Sequence, residues 1–328
     1  MRRYIGPSAV ALATVYVIIT ISFLFVHYMP GDPLIHLIGQ EDYYYLLDAS
    51  PETLDAIANR YGLNESLWAQ YTNYLHSVIT LDFGTSFTNH RPVLENVLSA
   101  SRWTLALSLP TLILASLIGG ACGLLAGWKP GGVFDKASTP VILVLNTIPS
   151  NCIALILLVV MAYRLRVLPI NGMVSPGLEG SAWFASVAWH MVLPLAVLVL
   201  GRSASNYMLM KGAASQVRHE EYTLTATSKG LAPRHILFRH VARGAMLPYL
   251  TSICLQMGGL LSGSMIVEVV FGWKGMGKLL YDAVQSRDFP TAQLCFLVSA
   301  VLVVAVMLLA DVLNLVFDPR LREAAGRD

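Results

Sequence analysis

Apolar positions gather into six runs along this chain, at about 7–29, 103–128, 138–163, 187–210, 246–271 and 292–317, and charged and hydroxyl residues return between them. Each run reaches the roughly 20 residues that a helix needs to cross about 30 Å of hydrocarbon. Gly, Pro and small polar residues interrupt all six, as in spans packed against one another rather than a lone anchor. The predicted fold is all-α, an integral membrane protein with six transmembrane helices. The polar stretch after the first run has helical pattern of its own. Ser50-Pro51-Glu52 reads as a capped start with proline at the first helical position, and Gly62 as its stop. Asn64 is expected to cap a second helix with Leu67, Trp68, Tyr71, Leu75 and Val78 on one face, packed on the outer ends of the spans. The short Gly127–Lys136 loop makes the second and third spans antiparallel neighbours. Gly275 and Gly277 precede a short helix expected over Lys278–Ser286. The chain then divides into a first span (1–30), an extracytoplasmic helical segment (31–102), a five-helix core (103–318) carrying a polar loop at 211–246, and a tail (319–328).

Composition agrees with the pattern, since 55% of the 328 residues are hydrophobic and only 13% charged, too apolar for an ordinary soluble domain. Basic residues set the orientation. With the N-terminus inside, thirteen of the 22 lie on the cytoplasmic side, among them Lys129, Lys136, Lys211, Arg218, Lys229, Arg234, Arg239 and Arg243, so both termini are read as cytoplasmic. The net charge of +2 says nothing of nucleic acid, because the basic residues are spread by membrane side and form no stripe, and no nucleic acid is expected as a partner. Arg2-Arg3 and the long run behind them read as an uncleaved first span. Cys122, Cys152, Cys254 and Cys295 fall one per span without CxxC spacing, and no metal site is expected of them. The sequence holds no phosphate loop, HExxH or GxSxG motif.

Two places carry candidate chemistry. In the late basic loop, Val217, Tyr222 and Leu224 alternate with polar residues up to a helix stop at Lys229-Gly230, and Pro233 opens a further helix expected to run to Arg243. Such a helix between two spans serves as a mechanical handle for a partner or lies on anionic lipid, and composition leaves both readings open. Within the third span, Asn146, Ser150 and Asn151 surround Pro149. Amides and hydroxyls at membrane depth face protein or water, so these residues either line a path or bond to neighbouring helices. Arg202 and Asp311 are the charges deepest in spans. Arg202 is placed within snorkelling reach of the inner interface, and His190 reads as a structural histidine.

The loop Glu220-Glu221-Tyr222 … Thr225-Ala226 … Lys229-Gly230-Leu231 … Arg243-Gly244-Ala245-Met246-Leu247-Pro248 resembles the EAA loop of ABC importer permeases, in the form used by the peptide/nickel class. Further landmarks of that class follow in order: Pro30-Gly31-Asp32-Pro33, Leu81–Phe87 with Arg91-Pro92-Val93, Ile148-Pro149-Ser150, His190-x-x-Leu193-Pro194, Val267-Glu268-x-x-Phe271-x-Trp273, Arg287-Asp288-Phe289-Pro290 and Asp318-Pro319-Arg320. The resemblance covers residues 4–322, with Thr225 standing where the motif's name expects alanine. It implies a type I ABC importer permease fold in the bacterial inner membrane, paired with a second homologous permease as a heterodimer, with two ATPase subunits beneath and a substrate-binding protein outside. Glu220, Glu221, Tyr222, Thr225, Ala226, Lys229 and Gly230 would form the coupling helix; Asn146, Pro149, Ser150 and Asn151 would lie on the translocation path. No cofactor is implied, and ATP hydrolysis would belong to the partners. Peptides are the expected cargo, with nickel or another metal chelate as the alternative. A stand-alone secondary transporter would instead show inverted repeats and intramembrane carboxylates, and an intramembrane enzyme a nucleophile and base or a metal triad.

Overall fold

The computed structural model describes residues 2–28, 33–60, 62–258 and 264–317. The Pro30-Gly31-Asp32 and Asp318-Pro319-Arg320 motifs, the tail 319–328 and the side chain of Asp311 lie outside the described residues. Among the described residues the secondary structure is helical apart from one isolated antiparallel bridge between Thr85 and Pro92. The chain divides into two compact units, Met1–Trp103 with Gly275–Val304, and Thr104–Lys274 with Ala305–Asp328.

The first unit contains α1 (Arg2–His27), four short helices α2 (Pro33–Ile38), α3 (Gln40–Ala49), α4 (Pro51–Arg60) and α5 (Leu67–Thr80), and the first turns of α6 (Val93–Trp128). Helix α4 starts at Pro51 as the sequence predicts, and Gly62 follows it in the left-handed region at φ 68°. The cap of α5 differs from expectation. Ser66, not Asn64, precedes the helix, and its Oγ accepts the Ala69 N–H at 3.3 Å. An N-cap oxygen reaches the amide three residues on, and Asn64 is too early for that; it donates to Asn59 Oδ1 instead.

The buried stripe of α5 also shifts. Tyr71 and Tyr74 are buried, whereas Leu67 and Trp68 are exposed, Trp68 by 72%. The two rings pack on Phe23 of α1 at centroid distances of 5.2 and 5.8 Å. Their hydroxyls meet Thr20 Oγ1 at 2.8 Å and Ser22 Oγ at 3.2 Å. Phenols bring an apolar body and a polar tip, so they suit a surface that mixes Phe with Ser and Thr better than an indole does. Burial raises the pKa of Tyr74 above its ordinary value, which keeps this hydroxyl protonated. Elsewhere in this unit, Ser86 donates to the Asp288 carboxylate, which also accepts Thr291 Oγ1 at 2.8 Å. Two sequence landmarks 200 residues apart are thereby held together. Helices α14 (Met276–Gln285) and α15 (Phe289–Phe317) meet through Ala283 and Ala292.

The second unit is built on the remainder of α6, α9 (Gly180–Arg218) and α12 (Ala242–Gly258). Helix α6 approaches α9 along Gly119, Gly123 and Gly127. A Cβ on any of the three would lie 2.5–2.6 Å from the carbonyl oxygens of Ser203, Tyr207 and Lys211. Both rows repeat every four residues, so the backbones run against each other over about two turns. Beside this row, Tyr249 of α12 donates to the Ser116 carbonyl at 2.6 Å. Glu268 of α13 (Met265–Phe271) is fully buried and accepts Thr104 Oγ1 and Ser264 Oγ, both at 2.8 Å. Glu268 is thus a further ionisable residue within the expected fifth span, where the sequence reading named only Arg202 and Asp311 as the charges deepest in spans.

The third run is not one straight helix. Helix α7 (Val133–Thr147) stops before Pro149, and α8 (Ser150–Leu157), continued by a π-helical turn Leu158–Arg164, leaves at 101°. Proline has no N–H to give and pushes the residue before it out of the helical region; Ile148 takes φ −78°, ψ 124°. Among the described residues three helices, α6, α9 and α15 over Phe289–Leu309, are long and apolar enough to cross a membrane, or four when the bent pair is one span.

Candidate functional site

Helix α9 has 39 residues. At about 1.5 Å per residue it is about 58 Å long, nearly twice the hydrocarbon thickness, so one end projects well beyond the apolar zone. Past Arg218 the chain turns through His219 and Glu220 into α10 (Glu221–Ser228). Two side chains three residues apart fasten α10 inward. Thr223 is buried and donates to the Val217 carbonyl at 3.0 Å. Ala226 enters a core with Leu124, Met210, Ala214, Ile236 and Leu237. The opposite face presents Glu221, Leu224, Thr225 and Ser228 to the surroundings, with Glu220, Lys229 and Gly230 exposed at its ends. Tyr222 is half exposed, its ring 6.5 Å from that of His240. Of the seven residues expected here, Ala226 is therefore the anchor. Thr223 was not singled out by sequence, although its i,i+3 spacing from Ala226 carried the signal.

Gly230 closes α10 in the left-handed region at φ 71°, with no atom beyond its chain neighbours within 4 Å of the place a Cβ would take. Pro233 then opens α11 (Pro233–Ile236), as expected, but the helix does not stop at Arg243. It passes through a π-helical turn, Leu237–Val241, directly into α12. The helix continues through Gly244, where Val217 and the Tyr222 hydroxyl fill the space that a Cβ would take. The base of α12, α10 and the end of α9 are thus one packed block, and Arg234, His235, Arg239 and Arg243 stand exposed along it.

A second polar constellation joins α7 to α9. Lys211 Nζ lies 2.5 Å from Asp135 Oδ1 and 2.8 Å from Thr139 Oγ1. The same aspartate accepts the Gly131 N–H at 2.9 Å and the Thr139 hydroxyl at 2.7 Å. Tyr207, fully buried, places its hydroxyl 2.7 Å from Ser138 and 2.9 Å from Thr139.

The expected path residues separate. Asn146, Pro149 and Ser150 line a cleft of about 700 Å³, together with Arg202 and Ser205 of α9 and Ser252 and Gln256 of α12. Asn151 is exposed but not on this wall. Ser205 Oγ donates to Asn146 Oδ1 at 3.2 Å, and Gln256 Nε2 to the buried Asn206 Oδ1 at 2.7 Å. Ser205 and Gln256 were invisible to sequence reading because they reach the cleft from helices distant along the chain. Arg202, expected at an interface, stands on the cleft wall. His190 is buried with Nδ1 2.8 Å from the Ser186 carbonyl oxygen, the structural role expected of it.

Comparison with known proteins gives a consistent result. The family model described as binding-protein-dependent transport system inner membrane component matches residues 119–323, and the model for the N-terminal part of such membrane components matches residues 1–109. The chain is 31% identical over 321 residues to the dipeptide transport system permease protein of Escherichia coli (strain K12), covering 92% of this chain and 93% of that protein. It is 31% identical over 322 residues to a probable peptide ABC transporter permease protein of Sinorhizobium fredii, covering 98% of both. It is 30% identical over 324 residues to the glutathione transport system permease protein of Escherichia coli (strain K12), again covering 98% of both.

Proposed function

Since the chain belongs to the binding-protein-dependent transport system inner membrane components, as an ABC importer permease of the peptide/nickel class, we propose that it forms the translocation path for peptides with a second, homologous permease. It does so as a six-span subunit with both termini cytoplasmic, in the bacterial inner membrane. Two ATPase subunits sit beneath it, and a binding protein delivers cargo outside. The cleft around Asn146, Pro149 and Ser150 is this subunit's share of the path, and the similarity to relatives named for dipeptide, peptide and glutathione transport favours peptides over metal chelates.

The observation that carries the coupling role is the two-faced α10. Thr223 and Ala226 fix it to α9 and α12, while Glu221, Leu224 and Thr225 face away from the chain. A push from an ATPase on that outer face moves the ends of two long helices together, because the block between them is close-packed and transmits displacement rather than absorbing it. ATP-driven closure of the ATPase pair then shifts the spans between inward-open and outward-open states. A cysteine at Thr225 should form a disulfide with cysteines placed around the rim of an ATPase groove, with a yield that changes when ATP and vanadate lock the complex. Crosslinks to lipid-soluble probes alone, with none to an ATPase in a transport-competent complex, would favour the lipid-surface reading instead.

A further inference from the structure

The cleft wall has a charge pattern that the path reading leaves unused. Among the described residues its polar lining consists of the amides of Asn146 and Gln256, the hydroxyls of Ser150, Ser205 and Ser252, and one ionisable group, the Arg202 guanidinium, with no carboxylate among them. A cation among neutral dipoles and leucine side chains favours an anion over any neutral or cationic guest, and the preference grows as water is displaced. We infer that Arg202 is a carboxylate-binding residue of the path, taking the C-terminal carboxylate of a passing peptide while the cleft amides meet its peptide bonds. The inference rests on the path assignment above.

Geometry and chemistry support this choice of ligand. A guanidinium matches a carboxylate through two parallel N–H···O bonds. Arg202 also has an interaction within the chain, and the five donors of a guanidinium can serve more than one partner. The cleft volume of about 700 Å³ lies within the range of small-molecule sites. All linear peptides share the terminal carboxylate whatever their side chains, so a residue that reads it accepts many sequences and rejects cations. Arg202 is only partly buried, and a path needs attraction weak enough for release.

The test uses the full complex in proteoliposomes of zwitterionic lipid, with Cys152 changed to Ala and Ser205→Cys as the reporter on the cleft wall. Its modification by an anionic and a cationic methanethiosulfonate is compared with the same reagents on a free thiol. The anionic reagent should be favoured at least threefold; Arg202→Gln should bring the two rates to parity and Arg202→Lys should retain the preference. Uptake of dialanine should fall at least tenfold in Arg202→Gln and less than threefold in Arg202→Lys. Parity with Arg202 in place, or a preference that survives Arg202→Gln, overturns the inference. A preference seen only with anionic lipid would assign the anion to a headgroup and overturn it as well. The path reading has its own outcome: labelling that does not respond to locking with ATP and vanadate removes the cleft from the path, whereas responsive labelling without charge preference keeps the path and removes only the role of Arg202.

Discussion

Gly230 shows what a single residue does at the end of a short helix. At φ 71° it holds a conformation that costs a residue with a Cβ on the order of 1–2 kcal/mol, and more for a β-branched side chain. The space around it is open, so the penalty comes from the backbone and not from a clash. Gly230→Val should therefore leave the packed block of Thr223 and Ala226 in place while unwinding or redirecting the end of α10. The expected result is normal assembly in the membrane with ATP turnover no longer stimulated by loaded binding protein and with uptake reduced several-fold. Stimulated turnover and uptake both equal to the parent complex would remove Gly230 from the coupling device. The stop at Lys229-Gly230 was legible in the sequence because helix ends use glycine in this way. The inward turn of Ala226 was not, since an alanine has no side-chain chemistry to declare which side it serves.

Between elements, the contacts that matter are those that make α9 move with its neighbours. Helix α6 meets α9 through the Gly119, Gly123 and Gly127 row, and α7 meets it through Asp135, Thr139 and Lys211. The first contact is steric and permanent; the second is polar and can be undone singly. Asp135→Asn removes the charge that faces Lys211 and leaves one amide oxygen as acceptor, where the carboxylate used one oxygen for Gly131 and the other for Thr139. A hydrogen bond to a charged group contributes about 1.5–3 kcal/mol, and this pair is shielded on both sides, with side-chain exposures of 11% and 23%. The variant should melt several degrees lower in detergent, and Asp135→Asn with Lys211→Met should recover part of that loss because no unpaired ammonium remains. Additive losses in the double variant would show that the two side chains do not depend on each other. The six apolar runs foretold where helices lie, but not the 101° turn at Pro149 or the pairing of α7 with α9. A hydropathy pattern fixes length and location; it holds no information on which polar residue in one run meets which in another.

At the scale of the whole molecule, the importer reading requires a face for each partner, and the first unit offers a candidate for the outer one. Its short helices α3, α4 and α5 follow α1, within the segment that lies outside the membrane in the topology proposed above. Helix α5 is fastened to α1 by Tyr71 and Tyr74, whereas α3 buries none of its residues and leaves Tyr44 and Tyr45 exposed, the latter by 70%. A helix that needs no partner for solubility would show polar residues at those positions. Exposed tyrosines suit a binding surface, where a flat ring with a polar tip gives contact area at little conformational cost. The segment was recognisable in the sequence from its capped starts, yet the choice of tyrosine over tryptophan as the buried contact of α5 came from the hydroxyls of α1, which no local pattern reveals. Cysteines at Tyr45 and Trp68 should crosslink to the substrate-binding protein when it carries cargo, and Tyr45→Ala should raise the concentration of binding protein needed for half-maximal uptake several-fold without altering ATP turnover at rest. Crosslinks from these positions to an ATPase subunit, or a Tyr45→Ala complex with unchanged dependence on the binding protein, would reverse the orientation or remove α3 from the docking surface.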